Sequence, residues 1–311
     1  MTVAAFTELH EEVRALAREK DAVILAHNYQ RPEVQDVADY VGDSLGLSRQ
    51  AAATDASTVV FAGVHFMAET AAILSPEKTI LLPDLGAGCS LAASIDAEQL
   101  RQWKAEHPGA VIVSYVNTTA EVKAETDYCC TSGNAKSVIE AIPEDTEILF
   151  LPDMYLGLWL EKVTGRKLEI WMGECHVHAG IRPADIDRIT EEDPNAELLV
   201  HPECGCASQA MAFANDRTQI LSTEKMIDYA KRSPKQRFAI ATETGIIHRL
   251  EKEVPGKTFE PVRADAECRY MKVTTLEKVR DSLRDNKHVV AVDPVLADKA
   301  RLAIDRMVSI S

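Results

Sequence analysis

Three cysteines recur at matching places in a pattern that the chain states three times. Cys89, Cys175 and Cys268 each follow an apolar run by roughly 25 to 30 residues, and each run carries a phenylalanine: Phe61 in VVFAGV, Phe150 in ILFLPD and Phe238 in RFAIAT. Equivalent loops of three repeats meet only near a symmetry axis, and three thiolates gathered there are unstable unless a cation holds them. A soft metal centre is the natural occupant. An iron-sulfur cubane usually takes four cysteines, so three leave one iron open, able to polarise a hydroxyl, carbonyl or carboxylate as a Lewis acid. A single buried cysteine more often packs as a small hydrophobe, and recurrence in all three copies is what argues against that here. Cys129, Cys130, Cys204 and Cys206 have no repeat-equivalent partner. Cys204 and Cys206 are spaced too tightly for the usual zinc pattern, so all four are expected to be packing residues near the site.

A second set of groups lies at predicted strand ends, where open α/β sheets place ligand chemistry. His27 and Tyr29 end AVILAHNY, Tyr115 and Asn117 end AVIVSYVN, and His201 and Glu203 end ELLVHPE. One polar residue at a strand end is usually a satisfied loop group; six in matching places point to acid-base and binding work. A third set opens helices: Ser44 after Asp43, Ser132 between Thr131 and Gly133, and Ser222 with Thr223. These suit ordinary N-caps, and helix starts converging on one axis also present free amides to a carboxylate or phosphate. His176 and His178, beside Cys175, suit ligand orientation or tuning of the metal.

The elements that must hold these groups alternate β and α throughout, so the expected class is α/β: three homologous small parallel-sheet αβα domains arranged with pseudo-threefold symmetry around a central site. Residues 1–94, 95–182 and 183–271 form the three repeats. Residues 272–311 form a tail packed on them, with an edge strand at 289–292 and a helix over about 294–307. Residues 6–20 set Phe6, Leu9, Val13, Leu16 and Ala17 on one helix face. A formal net charge of −15 over 311 residues disfavours nucleic acid and anionic membranes as partners. The N-terminus shows no secretory pattern and no apolar run approaches a membrane span. Seven cysteines without a signal peptide then suggest a reducing cytoplasm.

AHNYQRPEVQDVADYVGDSL, GVHFMAETA, LLPDLGAGCSLA, YVNTTAEVKAETDYCCTSGNA, GECHVH, HPEC, ATETGIIHRL and YMKVTTLEKV occur in that order. Over nearly its whole length the chain thereby resembles the quinolinate synthases of NAD biosynthesis. The resemblance implies condensation of iminoaspartate with dihydroxyacetone phosphate, loss of phosphate and water, and ring closure to quinolinate, with a [4Fe-4S] cluster; the open iron is expected to assist dehydration as a Lewis acid. It implies cluster ligands Cys89 in GAGCS, Cys175 in GECH and Cys268 in AECRYMK. It also implies active-site groups at His27, Tyr29, Ser44, Tyr115, Asn117, Ser132, His178, His201, Glu203, Ser222 and Thr223. Tyr29 and Glu203, with His27 and His201, are the expected catalytic groups; the others, again with His27, His201 and Glu203, are expected to bind substrate. An L-aspartate oxidase or dehydrogenase supplying the imine is the implied transient partner. HPECGC replaces the HPECPP frequent in the family, the third cysteine lacks a Cys-Pro context, and the C-terminal C-x-x-C of some members is absent. Two rivals stand beside this reading: a non-catalytic redox sensor and a zinc-bound scaffold. The inward polar groups weigh against the sensor, and metal analysis separates the scaffold.

Overall fold

The structure is a computed structural model that describes residues 3–207 and 217–310. Its core strands are short apolar runs, and β3 (Thr58–Ala62) is buried at all five positions. A strand covered on both faces by helices loses the polar-apolar alternation of an exposed sheet, which is why these runs are continuously hydrophobic. β1 (Ala22–His27) pairs in parallel with β2 (Tyr40–Gly42) and β3, and β3 with β4 (Thr79–Leu81). The same layout returns in β5 (Val111–Tyr115), β6 (Tyr128–Cys130), β7 (Ile148–Leu151) and β8 (Glu169–Ile170). It returns once more in β9 (Glu197–Val200), β10 (Thr218–Ile220), β11 (Arg237–Ala241) and β12 (Thr258–Pro261). The three sheets have strand orders β2-β1-β3-β4, β6-β5-β7-β8 and β10-β9-β11-β12, so the chain is an α/β fold built from one topology used three times. Parallel neighbours require crossovers, and helices supply most of them.

Register corrects one marker. Leu25 faces Phe61 and Val113 faces Phe150, but in the third sheet Leu199 faces Ile240, with Phe238 two residues earlier. A shift of two keeps a side chain on the same face of the pleat. Phe238 therefore still fills the core, stacked on Phe259 with ring centroids 5.4 Å apart.

Helix Val3–Glu19 buries Leu9, Val13 and Ala17 against Val279 and Leu283 of helix Leu276–Asp285 and against Ile24 of β1. The predicted edge strand at 289–292 is instead one antiparallel bridge, Leu81 to Val289, flanked by mutual backbone bonds between Leu82 and His288. Asp293 follows at once and accepts the amides of Val295 and Leu296, opening helix Pro294–Ser309 before a strand can extend. That helix braces the first two units: Asn134 Nδ2 donates to the carbonyls of Met307 and Ile310, and Arg49 to that of Val308. Among the described residues no helix is long and apolar enough to cross a membrane.

Candidate active site

The carboxyl ends of all three sheets open on one cleft of about 710 Å³, its mouth included, and every residue singled out above as a site candidate lines it except Ser222. Cys89 follows β4, Cys175 follows β8 and Cys268 follows β12, the fourth strand of each sheet. The local geometry repeats as well. The carbonyls of Cys89, Cys175 and Cys268 accept from the amides of Ala93, Ala179 and Lys272, so each cysteine opens one helical turn. Burial pushes the Cys89 thiol up, repulsion from Cys175 and Cys268 adds to it, and the amides of Leu91 and Ala92 work against it. Cys268 is likewise pushed up to about 11 by burial, against the amides of Met271 and Tyr270. Thiols that repel one another and meet backbone amides are a donor set for a shared cation. The residues after them interlock: Ser90 Oγ lies 2.8 Å from His176 Nδ1, and Tyr270 sits edge-on to His176 at 5.5 Å.

Glu203 is the centre of the acid-base groups. The Tyr115 hydroxyl donates to its Oε1, while its Oε2 lies 3.3 Å from His178 Nδ1. His201 Nδ1 lies 3.6 Å from Oε1, and its ring stacks on that of His178 at 4.8 Å. Burial alone would raise the Glu203 carboxyl, but the charged His178 and the Tyr115 hydroxyl hold it below the ordinary carboxylate range. Burial opposes a proton on His178, and the Cys175 sulfur and Glu203 overcome it, so His178 is pushed up. His27 and His201, lowered by burial to about 3, are neutral. Tyr29 Oη lies 2.7 Å from Thr242 Oγ1 and 3.5 Å from His178 Nε2; burial raises it, so it keeps its proton.

The helix starts converge, with altered roles. Asp43, not Ser44, caps helix Ser44–Ala53, accepting the Gly46 amide at 2.8 Å. Ser132 turns its hydroxyl to His201 Nε2 at 3.1 Å. Ser222 holds the cap position of helix Thr223–Arg232, yet its buried hydroxyl has no hydrogen-bond partner. A Cβ on Gly133 would stand 3.6 Å from Asp43 Oδ2 and 3.8 Å from Ser222 Oγ, so the three units meet here. Burial, with Glu224 nearby, raises Asp43 from 3.8 to about 6. A carboxyl raised in the folded state gives stability that is complete below pH 4 and lost as pH climbs through 6. Asp43→Asn retains the acceptor without that loss. It is expected to match the parent's unfolding midpoint at pH 4 and to exceed it at pH 7.5, by up to ~3 kcal/mol; equal midpoints at both values would refute the assignment.

Sequence reasoning passed over Asp153 and Glu243. Register makes Val64, Asp153 and Glu243 equivalent, each two residues past the end of the third strand of its sheet. Asp153 and Glu243 are fully buried. Glu243 accepts the Cys268 amide at 2.9 Å and pairs with Lys272 at 2.8 Å, fixing the loop that carries the third thiol. The strand-end rule, applied to the third strands too, would have found both. Cys129, Cys130, Cys204 and Cys206 are buried in the apolar cores, as packing residues should be.

Three equivalent parallel sheets aiming thiols, imidazoles and carboxylates into one concave site define an α/β enzyme acting on small molecules. A family model described as quinolinate synthetase A protein matches residues 11–309. Quinolinate synthases of Thermus thermophilus and Pyrobaculum aerophilum are each 56% identical over 302 residues, spanning 97% of both chains in the first case and 96% of this chain and 98% of the relative in the second. That of a Mycobacterium species is 54% identical over 315 residues, or 99% of this chain and 94% of the relative. The chain belongs to the quinolinate synthase family.

Proposed function

We propose that this chain condenses iminoaspartate with dihydroxyacetone phosphate to quinolinate, releasing phosphate and water, as a step of NAD biosynthesis. The observation that carries the reading is the threefold recurrence of a cysteine at the start of a helical turn, all three facing a cleft lined by strand-end acid-base groups. Cys89, Cys175 and Cys268 would hold a [4Fe-4S] cluster. Bound there, it would supply Lewis-acid chemistry at the iron that takes no cysteine.

The chain's own residues do the rest. Glu203 is the base, since its flanking groups keep it ionised, and Tyr29 is the acid, since burial keeps its proton in place. Neutral His27 and His201 donate or accept hydrogen bonds without charge. Tyr115, Asn117 and His178 orient carboxylates and the imine; Asn117 Oδ1 is buried and without a partner of its own. Ser44, Ser132, Ser222 and Thr223 take phosphate and carboxylate oxygens at the converging helix starts. The buried walls keep water from the imine.

The test is anaerobic: a spectrum and iron and sulfide counts, then an assay for quinolinate from the two substrates. Iron and sulfide near four per chain with quinolinate formed is the expected result; zinc in place of iron, or no quinolinate, overturns it. Tyr29→Phe is expected to retain the iron and lower turnover by ~10²- to 10⁴-fold at saturating substrate.

A further inference from the structure

Beside the three-thiol set lies a second, tighter group of donors. The ligand atoms of Cys175, His178 and Glu203 all lie within 4.8 Å of one another, and they are the one such group among the described residues. A single ion with zinc bonds of ~2.0–2.3 Å draws its donors to within ~4 Å of one another, so small side-chain movements close this group on one ion.

Each member of the group has its remaining polar atom held elsewhere. His178 Nε2 lies 2.8 Å from Thr242 Oγ1, a contact that fixes the ring with Nδ1 turned toward Glu203. That buried Nδ1 lies 3.3 Å from Glu203 Oε2 yet makes no well-directed hydrogen bond. The Tyr115 hydroxyl occupies Glu203 Oε1, leaving Oε2 as the free donor. An imidazole fixed through its far nitrogen and a carboxylate fixed through its far oxygen are the outer-shell arrangement of a metal site. Sulfur, nitrogen and oxygen together suit a borderline-soft divalent ion, and three protein donors leave a position facing the cleft.

We propose that, in the cluster-free chain, Cys175 Sγ, His178 Nδ1 and Glu203 Oε2 bind one divalent transition-metal ion of the zinc kind. The ion takes the place of the proton between imidazole and carboxylate, and a thiol proton is released when Cys175 ligates. The site does not depend on the function proposed above, although all three of its donors also serve that reading: Cys175 as a cluster ligand, Glu203 as the base and His178 as an orienting group. An ion held here occupies Cys175, one of the three thiols a cluster would need, so stoichiometric zinc bound first delays cluster loading of the cluster-free chain.

Anaerobic titration of the cluster-free full chain with Co²⁺ reads the donors directly, because the near-ultraviolet sulfur-to-cobalt band scales with the number of thiolates bound. One Co²⁺ per chain with the intensity of a single thiolate is expected, unchanged in Cys89→Ala and Cys268→Ala and lost in Cys175→Ala. His178→Asn removes a direct ligand and is expected to weaken binding more than the ~10- to 100-fold that Thr242→Val, an outer-shell change, should produce. A band of three-thiolate intensity in the unaltered chain, or one abolished by Cys89→Ala, would place the ion among the thiols and overturn the proposal. So would failure to bind Co²⁺ at micromolar concentration. The unaltered chain decides by intensity alone should a variant fold poorly, and none of these readings uses iron content or quinolinate formation, so the two proposals fail separately.

Discussion

Cys89→Ala is expected to yield a folded protein without the oxygen-sensitive brown chromophore and with quinolinate formation reduced at least ~10³-fold, the scale on which removing a group the chemistry depends on is felt. The reason lies in how little else Cys89 does. Its side chain belongs to the partly buried rim of the main core, not its fully buried interior. Its carbonyl bond to the Ala93 amide is a backbone contact that alanine keeps. Trimming one sulfur from such a place should cost stability no more than ~1 kcal/mol. As a ligand of the proposed cluster, Cys89 would supply charge that two remaining thiols cannot, so iron and colour should fall together. Cys129→Ala is the matched control. Cys129 is the middle residue of β6 and fully buried in the apolar core; its replacement should lower the unfolding midpoint and leave iron per chain unchanged. Iron and sulfide analysis with the anaerobic visible spectrum checks both. Full iron content in Cys89→Ala would sink the ligand assignment and with it the reading of the triplicated loops.

Much of this arrangement was legible before any coordinates. The βαβ pattern fixed which strands end in loops, and register confirms that His27, Tyr115 and His201 share one place in their sheets and Tyr29, Asn117 and Glu203 another. Hydrophobic continuity was enough because both faces of each sheet are covered. What escaped was contact between units. The Tyr115–Glu203 bond joins residues 88 apart, and the Asn28–Thr223 bond residues 195 apart, and no local pattern reports such pairs. Asp153 and Glu243 escaped because their counterpart in the first unit is Val64, an apolar residue that hides the recurrence. The caps were legible in part: of Asp43 and Ser44 it is Asp43 that caps, Ser222 holds its cap position, and Ser132 does not cap. Ser44 and Ser132 look like caps by composition, but an aspartate precedes one, and a histidine from the third sheet captures the hydroxyl of the other.

Glu203→Gln is expected to lower turnover by ~10²- to 10⁴-fold while leaving iron per chain and KM nearly unchanged, the signature of a lost proton acceptor rather than a lost binding group. Glutamine keeps the shape and can still accept the Tyr115 hydroxyl at its carbonyl oxygen. It cannot take a proton, and it no longer balances a charge on His178. His178 is buried, so it sheds its proton rather than remain unpaired, and the cost to stability stays near that of one charge-assisted bond, about 1.5–3 kcal/mol. The pH profile separates this from simple damage to the site. In the parent, Glu203 lies below the usual carboxylate range, so base function persists on the acid side of pH 5. His27 and His201, titrating near pH 3, add no limb between pH 5 and 8. The variant should therefore be slow at every pH in that window, with no recovery as pH rises. Activity recovering toward the parental rate at high pH would mean that a group with a higher pKa is the base, and Glu203 would then be a positioning residue that orients His178 and Tyr115.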